Sequence, residues 1–317
     1  MTRAVVIGAS GQDGSYLTRT LLKCGIEVHA TTRGQDLPPD SGLFRLGIAN
    51  SIHVHRMDTG HQRSVIDLFE KLSPNLVFNL GGQTSVSESF ANPSDTFRSI
   101  GIATVHVLEA LRLVAPEARF YNAGSSECFG DTGGVPATVE TPLRPLSPYA
   151  AAKSAASLLV KTYRESYGLF CVTGYLFNHE SGLRPERFVS SKIVRTAARI
   201  AAGSSEGLSL GDLSIKRDWG WAPEFVDAMV AMLDQERPAD HVIATGHCMS
   251  IEQFTQYAFE EFGLDWRDYV SFDAGLARPN ELKVSIGDPS LAERALGWKA
   301  QTYGQALVSK LCSQVRD

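Results

Sequence analysis

Much of what would mark a membrane, nucleic-acid or disulfide-built protein is missing from this chain. No apolar run approaches the roughly 18 residues that a membrane-spanning helix needs. No block of five or more basic residues occurs and the formal net charge is −5, so a nucleic-acid surface has nothing to rest on. The five cysteines (Cys24, Cys128, Cys171, Cys248 and Cys312) contain no C-x-x-C pair and no regular spacing. That excludes a disulfide framework or a zinc site and leaves reduced thiols, with no metal expected. No internal repeat or low-complexity stretch is visible, so repeat architectures drop out. An apolar strand begins almost at once, with no charged and apolar leader before it, and a cytoplasmic protein is expected.

What is present is 317 residues, 43% of them hydrophobic and 21% charged, enough for one large or two medium globular domains. Short apolar strands are expected at 3–8, 27–31, 52–55, 76–80, 119–123 and 171–177. Helical spacing appears between them at 14–24, 64–72, along one long helix after Pro93, and at 149–167. Strands alternating with helices imply a parallel sheet covered on both faces. The fold class is therefore α/β: a Rossmann-type doubly wound parallel sheet with a smaller C-terminal substrate-binding domain. The first domain is placed at 1–175, with a return of the chain to it around 224–245, and the second mainly at 176–317.

Gly8-Ala9-Ser10-Gly11-Gln12-Asp13-Gly14 lies between the first strand and the first helix. Glycines there let the backbone turn tightly and approach a pyrophosphate, which then rests on the amides and positive end of the helix. Gly8, Ser10, Gly11, Gln12, Asp13 and Gly14 are thus candidate cofactor contacts. An NAD enzyme usually ends the second strand with Asp or Glu for the ribose hydroxyl. Here stand Thr31, Thr32 and Arg33, and a guanidinium able to fork onto a phosphate points to NADP. Asp58, just after the third strand, is placed either on the adenine amino group or as an ordinary cap.

Tyr149 and Lys153 are four residues apart and so share a face at the start of a helix. In such a fold Lys153 can lower the phenol's pKa and hold the nicotinamide ribose, while Tyr149 takes a proton from a hydroxyl. The fifth strand ends in Gly124-Ser125-Ser126-Glu127, at the sheet edge where ligands bind. Ser125 is expected to hydrogen-bond the reacting hydroxyl, Ser126 only to cap the next segment. Glu127 is an acid/base beyond what a simple alcohol dehydrogenase needs, and it suggests a second proton transfer beside a new ketone.

These residues resemble the extended short-chain dehydrogenase/reductases that act on nucleotide sugars, and within them the GDP-mannose 4,6-dehydratase branch. The likeness runs over nearly the whole chain. It includes Gly11-Gln12-Asp13-Gly14-Ser15-Tyr16-Leu17, Leu176-Phe177-Asn178-His179-Glu180-Ser181, Lys216-Arg217-Asp218-Trp219-Gly220, Arg278-Pro279-Asn280-Glu281, and Gly287-Asp288-Pro289-Ser290 before Leu296-Gly297-Trp298. It implies Ser125, where the family has threonine, with Glu127, Tyr149 and Lys153 as catalytic residues, and His179 and Arg184 on the cofactor. Leu80, Gly81 and Gln83 are expected on the cofactor too. Ser85, Asn178, Lys192, Arg217, Arg278 and Glu281 are expected on a GDP-sugar, the cations against its phosphates and Glu281 on guanine.

Two further departures accompany Ser125. A single Arg33 and a proline-containing segment replace consecutive arginines and a serine-rich loop that helps tetramers share cofactor contacts, leaving homodimer and homotetramer both open. Gly182-Leu183-Arg184-Pro185 replaces Pro-Arg-Arg-Gly near the substrate entrance. The alternatives are a GDP-4-keto-6-deoxymannose reductase, a 4,6-dehydratase of another GDP-sugar such as a heptose, and an inactive NADP-sensing protein.

Overall fold

In the computed structural model, which describes residues 1–276 and 280–316, the alternation becomes one parallel sheet. β1 (Arg3–Ile7) leads through the glycine turn into α1 (Gln12–Lys23), then β2 (Glu27–Thr32), one-turn α2 (Gly42–Arg45), β3 (His53–Arg56), α3 (Gln62–Leu72) and β4 (Leu76–Asn79). There follow α4 (Val86–Ala91), α5 (Pro93–Phe97), α6 (Ala103–Val114), β5 (Arg119–Ala123), α7 (Pro148–Tyr167) and β6 (Cys171–Leu176). The long helix expected after Pro93 is broken: a π-helical turn, Arg98–Ile102, separates α5 from α6. Gly101 in that turn lies against the Phe97 ring, where a Cβ would come within 3.1 Å. The widened turn brings the Ser99 hydroxyl to the Gln83 amide, 3.5 Å away.

The rest of the chain gives β7 (Asn178–Glu180), α8 (Val189–Ala201), β8 (Leu208–Leu210), β9 (Lys216–Trp221), α9 (Ala222–Leu233), β10 (His241–Ile243) and β11 (Cys248–Ser250). It closes with α10 (Ile251–Glu260), β12 (Val270–Phe272), β13 (Val284–Ser285), α11 (Ser290–Leu296) and α12 (Gly304–Arg316). Among the described residues the main sheet runs β10-β6-β5-β4-β1-β2-β3, parallel throughout. Its seventh strand, β10, follows the six read from the sequence and pairs with β6, while α9 packs on α1. The strand order reverses between β1 and β4, which opens a crevice at their carboxyl ends.

One apolar core beneath the sheet holds Leu17, Leu21, Phe225 and Met229, and the core on the other face holds Val65, Phe69, Leu108 and Phe120. A third core, with Trp219, Trp221, Phe254 and Phe259, joins α8, α10 and α12 around β9, which pairs with β7, β11 and β13. No helix among the described residues is long and apolar enough to cross a membrane.

At the far edge of the main sheet, Arg164 at the end of α7 forks onto Asp240 with two bonds of 2.8 Å. Asp240 also accepts from the Thr173 amide, and Arg164 donates to the Cys171 carbonyl. This clamp holds α7, β6 and the entry to β10 together. Arg164→Ala is expected to lower unfolding free energy by about 2–3 kcal/mol, the range for lost bonds to a charged, partly buried group. Urea denaturation would show it, and a change within about 0.5 kcal/mol would mean that the clamp is solvated, as at an ordinary surface pair.

Candidate active site

The glycine turn closes on itself through a Gly11 amide to Gly8 carbonyl bond of 3.1 Å. Gly8 has φ +84, and a Cβ there would stand 2.7 Å from the Leu80 carbonyl oxygen; one on Gly14 would stand 2.2 Å from the Gly8 oxygen. No larger residue fits at either position. Leu80 and Gly81 thereby form the opposite lip of the crevice. Gly11 caps α1 with no side-chain acceptor, so the first-turn amides remain available to an anion, which fits the pyrophosphate of a dinucleotide. Gln83, at the π-turn, donates through its side chain to the Ser85 carbonyl at 2.6 Å. Ser85 is itself the cap of α4, accepting from the Glu88 amide.

Four catalytic candidates meet at the end of β5. Ser147 caps α7, with Pro148 at its first position, and this sets Tyr149 and Lys153 on the helix face that looks at the strand end. Lys153 is buried and its Nζ donates to the Ala123 carbonyl at 2.7 Å. Burial pulls its pKa down to about 8, against a smaller upward pull from Cys128 and Asp13. The capping role expected of Ser126 falls to Ser125, whose extended backbone (φ −150, ψ 145) points its hydroxyl at the Glu127 amide, 3.3 Å away. The same hydroxyl acts on the Tyr149 phenol, drawing its pKa down.

The lowering of the Tyr149 pKa expected from Lys153 is not what the chain's own groups do. Burial pushes the phenol well above its ordinary value; Ser125 and Arg184 pull the other way, and Cys128 and Glu127 push with burial. The reason is geometric, since the ammonium is turned to a carbonyl and sits 6.0 Å from the tyrosine ring. Glu127 is half-buried and shares a cleft of about 230 Å³ with Val86, Leu146, Ser147, Asn280, Glu281 and Leu282. The sequence had marked only the two carboxylates of that set. Ser-Pro before Tyr149 is a readable cap signal, whereas Val86 and Leu146 reach the cleft only through the fold.

His179 on β7 joins this edge to the glycine turn. Its Nδ1 lies 2.6 Å from the Phe177 carbonyl and its Nε2 lies 2.9 Å from Asp13 Oδ2. Both neighbours are acceptors, so both ring nitrogens carry a proton and the imidazole is a cation. Burial opposes that charge, but Asp13 more than offsets it: the His179 pKa ends raised, and that of Asp13 lowered despite its own burial. Gln12 donates to the His179 carbonyl and accepts from Ser181. Arg184 lies over the Phe188 ring at 3.7 Å and 3.2 Å from Glu180.

Other candidates lie further out. Arg33 is exposed, and the Thr32 hydroxyl accepts from the Gly34 amide in the local turn. Asp58 spends one oxygen on the Gly60 amide at 2.8 Å, as a turn residue does. Arg217, which the sequence set against phosphate, is buried and donates to Glu281 at 2.8 Å and to the Leu282 carbonyl. Asn178 begins β7 beside Trp219, and Lys192 in α8 donates to the Ser209 carbonyl. Arg278 lies outside the described residues.

Comparison with known proteins matches residues 5–311 to the family model described as GDP-mannose 4,6 dehydratase. The chain is 39% identical to GDP-mannose 4,6 dehydratase 2 of Arabidopsis thaliana, over 98% of this chain and 86% of that protein. It is 36% identical to GDP-mannose 4,6-dehydratase of Sinorhizobium fredii, over 99% and 95%. Among solved structures, RMD of Pseudomonas aeruginosa, complexed with NADPH, matches with TM-score 0.83 and 23% identity over 99% of both chains. That likeness concerns the fold.

The charges of His179 and Asp13 have a pH signature. A histidine whose pKa is raised contributes stability that is complete below its ordinary value of 6.5 and is lost as pH rises through the folded value. The lowered Asp13 contributes above its ordinary 3.8 and fails as pH falls through its folded value. His179→Gln should therefore be less stable than the native chain by about 1.5–3 kcal/mol near pH 6, with the gap narrowing at alkaline pH. Urea titrations across that range check it, and a gap independent of pH would refute the cationic assignment.

Proposed function

The chain belongs to the GDP-mannose 4,6-dehydratase family, and on that premise we infer that it converts GDP-mannose into GDP-4-keto-6-deoxymannose and water. The observation that carries this reading is Glu127, a carboxylate in the same cleft as Ser147 at the head of α7, beside the Ser125 and Tyr149 hydroxyls. An alcohol oxidation alone has no use for it. In the proposed reaction Tyr149, aided by Ser125, takes the proton of the C4 hydroxyl. Glu127 removes the C5 proton, made acidic by the C4 ketone, and passes it to the C6 hydroxyl, which leaves as water; a solvent-exchanged proton returns to C5 when hydride reaches C6. The bound nicotinamide supplies the hydride acceptor at C4 and the donor at C6, with no net redox change.

Enzymes of this fold solved with NAD and with NADPH support a nicotinamide cofactor. We favour NADP because Thr31, Thr32 and the exposed Arg33 stand where a carboxylate would select NAD. Gly8, Ser10, Gly11, Gln12, Asp13 and Gly14 would hold its pyrophosphate, Asp58 its adenosine end, and Leu80, Gly81, Gln83, Lys153, His179 and Arg184 its nicotinamide half. Ser85, Asn178, Lys192 and Arg278 are proposed on the substrate. Arg217 and Glu281 are proposed to meet the nucleotide as a pre-formed pair rather than as separate charges. A homodimer or homotetramer is part of the same proposal.

Incubating GDP-mannose with the protein and NADP+, without reductant, should yield a product lighter by one water in mass spectrometry. In deuterium oxide that product should carry deuterium at C5. Unchanged substrate would exclude GDP-mannose dehydration and leave the 4-keto reductase, a dehydratase of another GDP-sugar and the inactive NADP-sensing protein. Glu127→Gln should bind NADPH normally yet dehydrate about 100- to 10,000-fold more slowly, as expected for loss of a positioned acid/base. Near-native dehydration by that variant would remove Glu127 from the chemistry. Arg33→Ala should weaken NADP by about 10-fold and leave NAD untouched, for one lost charge-assisted phosphate contact. Equal losses for both cofactors in calorimetry would contradict the NADP preference.

A further inference from the structure

Residues 181–184, a turn that carries Gly182, Leu183 and Arg184 of the segment standing where the family has Pro-Arg-Arg-Gly, are held by four bonds from three helices. Ser181 donates to Gln12 at the head of α1, and Arg195 of α8 donates to the Gly182 carbonyl at 3.2 Å. Ser191 donates to the Arg184 carbonyl, and the Gly182 amide donates to Gln314 Oε1 on α12 at 2.6 Å. Leu183 is wedged against α2: a Cβ on Gly42 would lie 2.7 Å from its Cδ1. Inside the turn, the Leu183 and Arg184 amides donate to the Ser181 hydroxyl and carbonyl. The amides of Gly182, Leu183 and Arg184 are thus all bonded, and α12 supplies the acceptor for Gly182.

We propose that Gln314 is a positioning residue, which fixes the 181–184 turn from the C-terminal helix and so sets where Arg184 stands beside the crevice. The inference rests on the nicotinamide-enzyme reading. Arg184 borders a small cavity lined also by Glu180, Ser190, Arg195, Leu311 and Val315. Glu180 and Ser190 are almost wholly buried there, and Arg184 is tied to the turn through Glu180 and Phe188. Its charge acts on Asp13, His179 and Tyr149, the groups that meet at the cofactor edge. Gly182 is what allows the approach, because a Cβ there would stand 2.6 Å from Gln314 Oε1 and 3.2 Å from its Cβ.

The test titrates NADPH by fluorescence against the full-length native chain, Gln314→Ala, Gln314→Leu and Gln314→Glu, so it does not depend on the sugar substrate. Ala and Leu should raise the NADPH Kd about 10-fold, the cost of one hydrogen bond. Glu keeps an acceptor oxygen and should restore native affinity. Gly182→Ala, whose Cβ meets the Gln314 side chain and so breaks the same latch from the side of the turn, should reproduce the Ala effect and keeps the idea testable if a Gln314 variant fails to fold. With substrate, the rising limb of kcat/KM should move to higher pH in the Ala and Leu variants, since a positive charge leaves the phenol. Native Kd and native pH profile in both Gln314→Leu and Gly182→Ala would overturn the proposal. So would a Glu variant as impaired as Leu. Failure of GDP-mannose turnover alone would touch only the functional reading.

Discussion

The buried contact of Asp13 with His179 is the constraint on which the crevice depends. A carboxylate on the first turn of α1 suits the helix dipole, yet it stands where a dinucleotide's phosphates must approach. The imidazolium at 2.9 Å neutralises it, and the Phe177 carbonyl holds the ring in place. Gln12 adds a bond to the backbone of that strand at His179 and accepts one from Ser181 just after it. The glycine turn and the segment leaving β6 are thus one unit, although 166 residues separate the paired charges.

That joint explains how the chemistry is gathered. β5 and α7 bring Ser125, Tyr149 and Lys153 to the carboxyl edge of the sheet, and β7 brings His179 and the turn carrying Arg184 to the same edge. Burial then decides the electrostatics. It raises the Tyr149 phenol, which therefore rests protonated rather than as a ready tyrosinate, and it lowers Lys153 to about 8. Of the groups that act on the phenol, Ser125 and Arg184 pull its pKa down, against burial, Cys128 and Glu127.

A second consequence concerns the nucleotide side. Arg217 and Glu281 neutralise one another on the wall of the second part, with the guanidinium also bound to the Leu282 carbonyl. A lone buried arginine would cost several kcal/mol, roughly, without a partner. Their pairing keeps β9 and the segment before β13 together while leaving Glu281 on the cleft shared with Glu127.

By itself the sequence determined the alternation of strands and helices, the glycine turn, the placement of Tyr149 with Lys153, and the family. All of these are local patterns: periodicity along one element, a turn whose φ values need glycine, or a fixed spacing on one helix. The tertiary structure alone decided that the helix after Pro93 breaks at Arg98–Ile102, that Ser125 rather than Ser126 caps the next turn, and that β10 completes the sheet. It also decided that Lys153 faces the Ala123 carbonyl, that Arg217 is matched by Glu281, and that Gln314 holds Gly182. Each of these depends on which distant atoms become neighbours once the cores close, and no local spacing encodes that. Burial, which sets both the pKa directions and the worth of each hydrogen bond, exists only after folding.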